Sequence, residues 1–396
     1  MGKTYRLRTL YGPTDVPINE LRDLTQTPQM RRTMRISVLG CVAEVYPDAI
    51  HHRFSHEIGV GYTARRIGEN IGLSDEEIKL LVAYGFTHDI GHGPESHIWE
   101  YVVHNITGRD HKTEGIKRLR EVEITSALKK AGIKKQDLIE MHTRENPLSR
   151  IIYELVGSDK LDYVWRDRHF CALDGGCDMQ TLIKNITFDG ETVCIDDKAK
   201  EEARDYLRTY LGNYHRIYLR KPVEIVKGLK TRAIYYAIQN GDIDPHSGWT
   251  MDDYQLNVAL RKSEDENAKI YVAMLERREF PKTVGVLRLT GYENRERTSD
   301  MPIHVESASR AERDDLRKLS NGFDTDLGKI TELETKIAKT LKLEPREVLL
   351  SLPRNFGDGA EKKIRIIRKT RERATNQKRF ILEKYIPILA ERLRVK

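Results

Sequence analysis

The chain is poor in cysteine, and its few cysteines are badly spaced for metal or redox chemistry. Only four occur in 396 residues, Cys41, Cys171, Cys177 and Cys194, and none forms a CxxC pair. Neither a thiolate zinc site nor a dithiol redox motif is therefore indicated. Cys171 and Cys177 are close enough in sequence to pair or to share a ligand, but buried inert thiols explain them more simply. This cysteine usage fits a reducing cytoplasm.

Long apolar runs are also missing. No apolar segment approaches the ~20 residues that a membrane-spanning helix needs, and the mean hydropathy is −0.60. The first residues, Met1–Arg6, have no apolar stretch behind their charges, so we do not expect a secretory signal there. We therefore predict a cytoplasmic protein without a membrane partner.

Basic residues slightly outnumber acidic ones, and the formal net charge is +7. An excess of positive charge suits an acidic partner such as a nucleotide, a polyphosphate or a nucleic acid. The segment 362–379 contains nine Lys/Arg against one Glu. We interpret it either as a solvated helix face or as a surface that binds nucleic acid or an allosteric nucleotide. It lacks the interleaved aromatic residues that stack on bases, which weakens the nucleic-acid interpretation.

Most of the chain has the apolar periodicity of helices, with no internal repeat and no low-complexity tract. Thr27-Pro28 is typical of a helix start, and Ser74 with Glu77 forms a capping-box pattern before an apolar run. Further helices are predicted over 56–70, 113–130, 135–143, 147–170, 198–212 and 216–239. The predicted fold class is mainly α, a helical bundle with a small β-containing insertion and a helical C-terminal region.

Strand signals are few. The insertion lies at 186–195, where two β-prone runs flank Asp189-Gly190, which is a hairpin signal. Short strands are also predicted over 270–274 and 284–289.

Charged, proline-bearing sequence from 293 to 312 predicts a domain boundary. It divides the chain into a core at 1–290 and a C-terminal helical, basic region at 305–396. In that region Thr331 begins a second capping-box pattern, and 361–394 is predicted to be a long helix.

The densest cluster of chemistry-bearing residues runs from Thr87 to His97. It contains three imidazoles and two carboxylates where an apolar helix is predicted to end. His92 follows His88 by one helical turn, so a continuing helix would put both rings on one face. Adjacent His88 and Asp89 offer a nitrogen and an oxygen ligand, a mixture that suits Mn, Fe, Ni or Mg. Alone, a His-Asp pair is equally well explained as a hydrogen bond at a helix end.

Two further residues complete a set of four candidate metal ligands. His56 lies on the helix before the His88-Asp89 pair, and Asp159 lies on a later helix. Two imidazoles and two carboxylates leave coordination positions open on an octahedral ion, as a hydrolytic metal centre needs. This ligand set resembles that of the HD-domain phosphohydrolases.

Longer motifs are similar to those of the deoxynucleoside triphosphate triphosphohydrolases, the HD-domain family that contains the bacterial dGTPases and the SAM-and-HD-domain restriction factor. The likeness covers about 11–285 and is densest over 27–170. The motifs that carry it are Thr27-Pro28-Gln29, Arg53-Phe54, Gly59-Val60-Gly61-Tyr62, His88-Asp89-x-Gly91-His92-Gly93-Pro94-x-Ser96-His97 and Asp159-Lys160-x-Asp162-Tyr163-x-x-Arg166-Asp167. The resemblance implies an HD-domain helical bundle for the core.

The resemblance also implies an activity, the metal-dependent hydrolysis of deoxynucleoside triphosphates to deoxynucleoside and inorganic triphosphate. The implied ligands of the divalent metal are His56, His88, Asp89 and Asp159. The implied triphosphate contacts are Arg53, His92 and Lys160. His97 would donate a proton to the departing 5′ oxygen, and His111 would be a further contact to the α-phosphate.

The sugar contacts that the resemblance implies come from later in the chain. Tyr163 would pack against the ribose ring, although a plain core aromatic is the alternative for it. Asp167 would accept a hydrogen bond from the 3′-hydroxyl, and Tyr218 and Lys221 would complete the sugar and phosphate contacts. The resemblance further implies a homo-oligomer and leaves room for a nucleotide effector.

Three positions depart from the family pattern. Val38 and Leu219 stand where glutamines that contact the sugar and the base are common, and Gln26 replaces the acidic residue of members activated by a guanine nucleotide. The sugar and base pockets are therefore the parts of the resemblance most open to change. Val38 and Leu219 leave open another HD-type nucleotide phosphohydrolase or phosphodiesterase. A second alternative, a nucleotide-sensing nucleic-acid-binding protein, rests on the basic segment 362–379.

Overall fold

A computed structural model describes residues 5–16, 21–288, 304–307, 327–351 and 363–368. The chain forms two compact units. Among the described residues, those up to 218 and those from 244 to 259 belong to the first unit, and those from 219 to 243 and from 260 onward belong to the second. The predicted division at 290–305 stays a prediction.

The first unit is a bundle of helices. Its helices are α1 (Arg22–Thr25), α2 (Pro28–Arg32), α3 (Arg53–Ile71), α4 (Asp75–Thr87), α5 (His97–Thr107), α6 (His111–Arg118), α7 (Val122–Lys130), α8 (Lys135–Thr143), α9 (Arg150–Tyr153), α10 (Ser158–Phe170), α11 (Met179–Lys184) and α12 (Lys200–Asn213), and a π-helix follows at Tyr214–Tyr218. Short 3-10 helices lie at Thr33–Arg35, Gly40–Glu44, Pro147–Ser149, Asp197–Ala199 and Gly248–Thr250. A further helix, α14 (Asp253–Lys262), has its residues through Ala259 in this unit.

Helix α3 is central to this bundle and packs against α4 and α10. The backbones of α3 and α4 come so close that a Cβ on Gly85 would lie 2.8 Å from the Cα of Gly61. Only glycine permits this approach, which brings the C-terminal end of α4 against α3. The predicted capping box starts α4, because the Ser74 hydroxyl accepts from the Glu77 amide and the Glu77 carboxylate accepts from the Ser74 amide.

Two hairpins belong to the first unit. The predicted hairpin is confirmed as β3 (Ile186–Phe188) and β4 (Val193–Ile195), joined through the Asp189-Gly190 turn. A second hairpin, which the sequence analysis missed, consists of β1 (Tyr5–Thr9) and β2 (Gly12–Val16).

The second unit combines helices with a sheet. Its helices are α13 (Lys221–Gln239), α15 (Glu266–Glu276) and α16 (Leu327–Leu341), with a 3-10 helix at Pro345–Glu347. Its strands are β5 (Lys282–Arg288), β6 (His304–Ser307), β7 (Leu349–Ser351) and β8 (Lys363–Arg368), in the order β6-β5-β8-β7. Strand β5 runs parallel to β6 and antiparallel to β8, and β8 runs antiparallel to β7.

Three predictions for this part of the chain are wrong, while the strand predicted over 284–289 is confirmed as β5. Residues 270–274 lie inside α15, because the Asp265 side chain caps that helix by accepting from the Ala268 amide. Helix α16 begins before Thr331, so the Thr331 hydroxyl donates to the Leu327 carbonyl within the helix and caps nothing. Residues 363–368 of the predicted long helix form strand β8, and its remainder from 369 to 394 lies outside the described residues.

The predicted mainly α class is confirmed. No helix in the described part of the chain is both long enough and apolar enough to cross a membrane. All four cysteines are free, and burial raises the pKa of the Cys171 thiol to about 12, as expected of an inert thiol. Cys171 and Cys177 therefore form no disulfide.

Candidate metal centre and histidine cluster

Four predicted ligands converge where α3, the end of α4 and the start of α10 meet. The Nε2 atom of His56 lies 3.3 Å from Asp159 Oδ1 and 3.7 Å from Asp89 Oδ2. The Nε2 atom of His88 lies 3.6 Å from Asp89 Oδ2 and 3.7 Å from Asp159 Oδ1. Two nitrogens and two carboxylate oxygens thus face one another at the separations expected around a single ion.

The orientation of the two imidazoles fits a metal. His56 Nδ1 lies 2.7 Å from Asp162 Oδ2, and His88 Nδ1 donates to the Gly85 carbonyl at 2.8 Å. Histidines that bind metals use one ring nitrogen for the ion and donate the other N–H to a carboxylate or a carbonyl. The Nε2 atom of His88 is buried and has no hydrogen-bond partner among the described residues. A lone pair placed in this way suits a divalent ion.

The ionisable groups of this centre shift one another's pKa values. Burial disfavours the ionised form of Asp89, but Arg53 and His88 outweigh it and hold the pKa of that carboxyl well below its usual range. Burial likewise disfavours the ionised form of Asp159, but the nearby imidazoles of His56 and His88 outweigh it and lower the pKa of that carboxyl. Burial lowers the pKa of His56, but the nearby carboxylates raise it to about 10.

A second cluster lies beside the first and contains His92, His97, His111 and Glu100, whose ligand-type atoms lie within 4.8 Å of one another. The rings of His92 and His111 are stacked, with centroids 4.2 Å apart and planes 7° apart. His92 Nε2 lies 3.5 Å from Asp89 Oδ1, so the cluster borders the metal centre directly. Burial, Arg53 and His111 lower the pKa of His92 well below its ordinary value, which keeps this ring neutral.

Glu100 joins two of these histidines. Its Oε2 atom lies 2.8 Å from His111 Nδ1 and 3.3 Å from His97 Nδ1. Burial raises the pKa of Glu100, but the two imidazoles outweigh it and lower that pKa well below the usual range. The carboxylate is therefore anionic, and it leaves the Nε2 atoms of both rings available for a ligand.

The turn that precedes α5 fixes the position of the histidine cluster. Glu95 and Ser96 both have positive φ, 55° and 56°, a conformation that is strained for residues other than glycine. Arg53 Nε donates to the Ser96 hydroxyl at 2.9 Å, and the Glu95 amide donates to Asp253 Oδ1 at 2.6 Å. Arg53 also donates to Asp89, so one guanidinium connects this turn to the metal centre.

Gly91 lets the loop of the His-Asp stretch lie directly on α6. A Cβ at Gly91 would lie 2.0 Å from the His111 carbonyl oxygen and 2.2 Å from the Gly115 amide nitrogen. We expect Gly91→Ala to lower the free energy of unfolding by about 1–3 kcal/mol, as overpacking of a close contact does. The added methyl group would push the loop away from α6, which would separate His92 from His111 and lower activity. Urea unfolding and initial rates measure the two effects.

Gly115 on the opposite side of the contact supplies the control. The nearest atoms to a Cβ at Gly115 lie at 3.8 Å, an ordinary contact distance. Because alanine is favoured over glycine inside a helix, Gly115→Ala should leave stability and activity unchanged or slightly raise stability. Equal damage from both substitutions would contradict the close approach at Gly91.

The predicted sugar contacts form a separate group. Asp167 is buried, with Oδ1 2.8 Å from His51 Nε2 and Oδ2 accepting from the Tyr218 hydroxyl at 2.6 Å. The Tyr163 ring lies edge-on to His56 with centroids 6.5 Å apart. Asp167, Tyr218 and Tyr163 are therefore held in fixed positions in the first unit.

The predicted cations are not all at the metal centre. Arg53 contacts Asp89, whereas the Lys160 ammonium donates to the Tyr153 carbonyl. Lys221 begins α13 in the second unit, so its contact with a phosphate stays a prediction.

Sequence analysis missed the roles of three side chains in this site. Glu100 follows His97 by three residues on a helix, and that spacing alone could have suggested a contact. Asp162 belongs to a motif of the sequence, but its contact with His56 Nδ1 was not predicted. His51 contacts Asp167 across 116 residues of sequence, and no local signal predicts such a pair.

Two family models match the chain. The HD domain model matches residues 53–167, and the model of the HD associated region matches residues 177–309. The HD domain match contains the four candidate ligands and the histidine cluster. Tyr218 and Lys221 lie in the HD associated region.

Several curated proteins are similar in sequence. An uncharacterized protein of Methanocaldococcus jannaschii is 28% identical over 248 residues, 61% of this chain and 52% of that protein. An uncharacterized protein of Bacillus subtilis is 27% identical over 232 residues, 56% of this chain and 52% of that protein. The human deoxynucleoside triphosphate triphosphohydrolase SAMHD1 is 26% identical over 261 residues, 54% of this chain and 41% of that protein. The chain spans about half the length of the curated relatives it matches.

A solved structure shares the fold. A phosphohydrolase from Bacteroides thetaiotaomicron superposes with a TM-score of 0.70 over 93% of this chain and 100% of that chain. The sequence identity is 17%, so the likeness extends to the fold alone.

Proposed function

Because the chain belongs to an HD-domain family similar to the deoxynucleoside triphosphate triphosphohydrolases, we propose that it is a metal-dependent nucleotide phosphohydrolase. We propose further that it hydrolyses deoxynucleoside triphosphates to deoxynucleoside and inorganic triphosphate. The observation that carries this proposal is the side-by-side arrangement of the four-ligand centre and the histidine cluster, which Asp89 and His92 connect at 3.5 Å.

His56, His88, Asp89 and Asp159 would hold the divalent ion, and the mixture of donors suits Mn, Fe, Ni or Mg. When bound, the ion supplies positive charge that stabilises a phosphoryl group during hydrolysis. Arg53 adds a fixed guanidinium beside Asp89, and charge-assisted hydrogen bonds from arginine suit phosphate oxygens. Lys160 and Lys221 would supply further positive charge to the triphosphate.

The histidine cluster would perform the proton transfer. Neutral His92 can donate one N–H to the α-phosphate, and His111, stacked on it, can donate a second. His97 is the most exposed of the three, with 62% of its side chain accessible, so it can reach a leaving 5′ oxygen. Burial lowers the pKa of His97, and its hydrogen bond to Glu100 opposes that lowering and so supports the protonated form that a general acid requires.

Selection of the nucleoside would fall to the group around Asp167. Its carboxylate would accept from the 3′-hydroxyl while His51 and Tyr218 hold it in place. Tyr163 would pack against the ribose ring, where an added 2′-hydroxyl has no place. Discrimination by one hydroxyl is large where a site is built around it.

The test is an incubation of the full chain and a divalent metal with each of the four dNTPs and the four NTPs, followed by ion-exchange analysis. Inorganic triphosphate with deoxynucleoside supports the proposal. Pyrophosphate or phosphate as product would favour a different HD-type nucleotide phosphohydrolase or a phosphodiesterase. The absence of turnover with single nucleotides and with nucleotide mixtures, which would supply an effector, would contradict both activities.

Three proposals on partners accompany this function. The likeness to the deoxynucleoside triphosphate triphosphohydrolases suggests a homo-oligomer and a nucleotide effector, and light scattering with and without nucleotides tests both. The basic segment 362–379 remains a candidate for nucleic-acid binding. Its residues 363–368 form β8, and the others lie outside the described residues.

A further inference from the structure

The carboxylate of Asp162, which orients the metal ligand His56, is saturated with hydrogen bonds. Its Oδ2 atom lies 2.7 Å from His56 Nδ1 and accepts from Arg166 Nε at 2.7 Å. Its Oδ1 atom accepts from Arg166 Nη2 at 2.9 Å and from the Tyr11 hydroxyl at 2.7 Å. A carboxylate has about four lone-pair sites, and here each has a donor. Asp162 is fully buried, with a relative accessibility of 0%, so every one of these donors matters.

The fourth donor comes from the N-terminal hairpin. Strands β1 and β2 pair with Thr9 opposite Gly12, which leaves Leu10 and Tyr11 as the two-residue turn. The Tyr11 ring packs against Tyr62 and Trp165, with both centroids 5.0 Å away. An isolated two-stranded hairpin is marginally stable in water, so the contacts of its tip with the bundle help to hold it in place.

The two helices that receive the hairpin tip are those that carry metal ligands. Tyr62 lies on α3, six residues beyond His56, and Trp165 lies on α10, six residues beyond Asp159. The tip therefore touches both helices and, through Asp162, the imidazole of His56. Among the described residues that hydrogen-bond to Asp162, Tyr11 alone comes from outside α3 and α10.

We propose that Tyr11 is a positioning residue for the metal centre, and that docking of the β1–β2 hairpin strengthens metal binding. The hydroxyl of Tyr11 completes the set of donors that fixes the position of the Asp162 carboxylate, beside Arg166 and His56. That carboxylate in turn keeps His56 Nδ1 as the donor and its Nε2 as the metal ligand. Without the hydroxyl, Oδ1 loses one of its two donors while buried, and the carboxylate is held less firmly against His56.

This inference goes beyond the proposed function, since it concerns the metal centre of any HD-type reaction. It has a reciprocal consequence. If docking of the hairpin raises the affinity for a metal, the metal must stabilise the docked hairpin by the same factor. A bound metal should therefore slow amide exchange in residues 5–16 in the wild-type chain.

The experiment measures Mn²⁺ binding to the full chain after the removal of metal with a chelator. The electron paramagnetic resonance signal of free Mn²⁺ gives the affinity, and a His88→Ala variant identifies the binding event that belongs to this centre. We expect Tyr11→Phe to weaken that event by about tenfold, the lower end of the range for outer-shell partners. The ring packing is kept, so the melting temperature should change little.

Tyr62→Phe is the matched control, because it removes a hydroxyl from the ring that packs against Tyr11. It should bind Mn²⁺ as the wild type does. Unchanged Mn²⁺ affinity in Tyr11→Phe, or equal weakening in Tyr62→Phe, would overturn the inference. Wild-type exchange in residues 5–16 that Mn²⁺ does not alter would also overturn it. None of these results depends on the substrate, so a chain that binds Mn²⁺ but leaves dNTPs intact would reject the proposed substrate alone.

Discussion

Replacement of Asp159 by asparagine is expected to lower turnover by about three orders of magnitude and to abolish metal binding at micromolar concentrations. Asp159 Oδ1 lies 3.3 Å from His56 Nε2 and 3.7 Å from His88 Nε2, so it is one of the converging donors. Asparagine keeps the shape but loses the charge that attracts a divalent cation. A bound metal contributes several kcal/mol to stabilisation of the transition state, and each 1.36 kcal/mol corresponds to a factor of ten.

Asp159 is the most informative ligand to remove. It lies in the first turn of α10, where its side chain is not part of the hydrophobic core. Asp89, by contrast, also neutralises Arg53, so its loss would leave a buried guanidinium without its carboxylate partner. An effect of Asp159→Asn is therefore easier to assign to the metal.

The measurement combines Mn²⁺ titration with rates of triphosphate release. Asp205→Asn is the control, because Asp205 is exposed on α12 and pairs only at the surface with Arg208. It should bind Mn²⁺ and turn over as the wild type does. Wild-type Mn²⁺ affinity in Asp159→Asn would exclude Asp159 from the ligand set.

Part of the candidate metal centre is predicted by local signals. His88 and Asp89 are adjacent, and a capping box at Ser74 starts the helix that delivers them. His56 and Asp159 were found by resemblance, and the structure places both against that pair. Local chemistry and a family pattern together therefore selected four side chains that lie close together, and their role as ligands stays a prediction.

The contacts that orient the ligands were not predictable in the same way. Tyr11 and Asp162 are separated by 151 residues, and His51 and Asp167 by 116. Neither pair has a periodicity or a motif that links its members, because the contact exists only once α3, α10 and the hairpin have packed. Single-sequence reasoning therefore selects candidate ligands more readily than the residues that hold them in position.

The wrong prediction of a long helix over 361–394 has a different cause. Residues 363–368 alternate between basic residues and isoleucine for most of their length, which is a strand signal. The long charged run around them suggested a helix, and β-branched isoleucine was given too little weight. Residues 270–274 show the opposite error, because a strand was predicted where the chain is helical. This β-prone run lies in α15, whose start is set by the Asp265 cap.

Glu100→Gln is expected to lower kcat by about a hundredfold while it leaves KM and the affinity for Mn²⁺ nearly unchanged. Glu100 Oε2 lies 2.8 Å from His111 Nδ1 and 3.3 Å from His97 Nδ1, and it touches none of the four candidate ligands. Glutamine keeps the size of the side chain but removes the negative charge that favours a protonated imidazole. General acid catalysis contributes about 10²–10⁴-fold to the rate. Partial loss of the acid should therefore lower kcat by a factor at the lower end of that range.

If Glu100 were only structural, its loss would lower stability without a selective loss of kcat. A control variant separates a structural role from a role in proton transfer. Glu114 is also a buried carboxylate, but it pairs with Arg109 at 2.8 Å and contacts none of the three histidines. Glu114→Gln should lower stability without a selective loss of kcat. Loss of the negative charge beside His97 lowers the pKa of this proton donor. The alkaline limb of the kcat profile should therefore move to lower pH in Glu100→Gln only. Equal losses of kcat in both variants, with no shift of that limb, would reduce Glu100 to a structural residue and remove His97 as the proton donor.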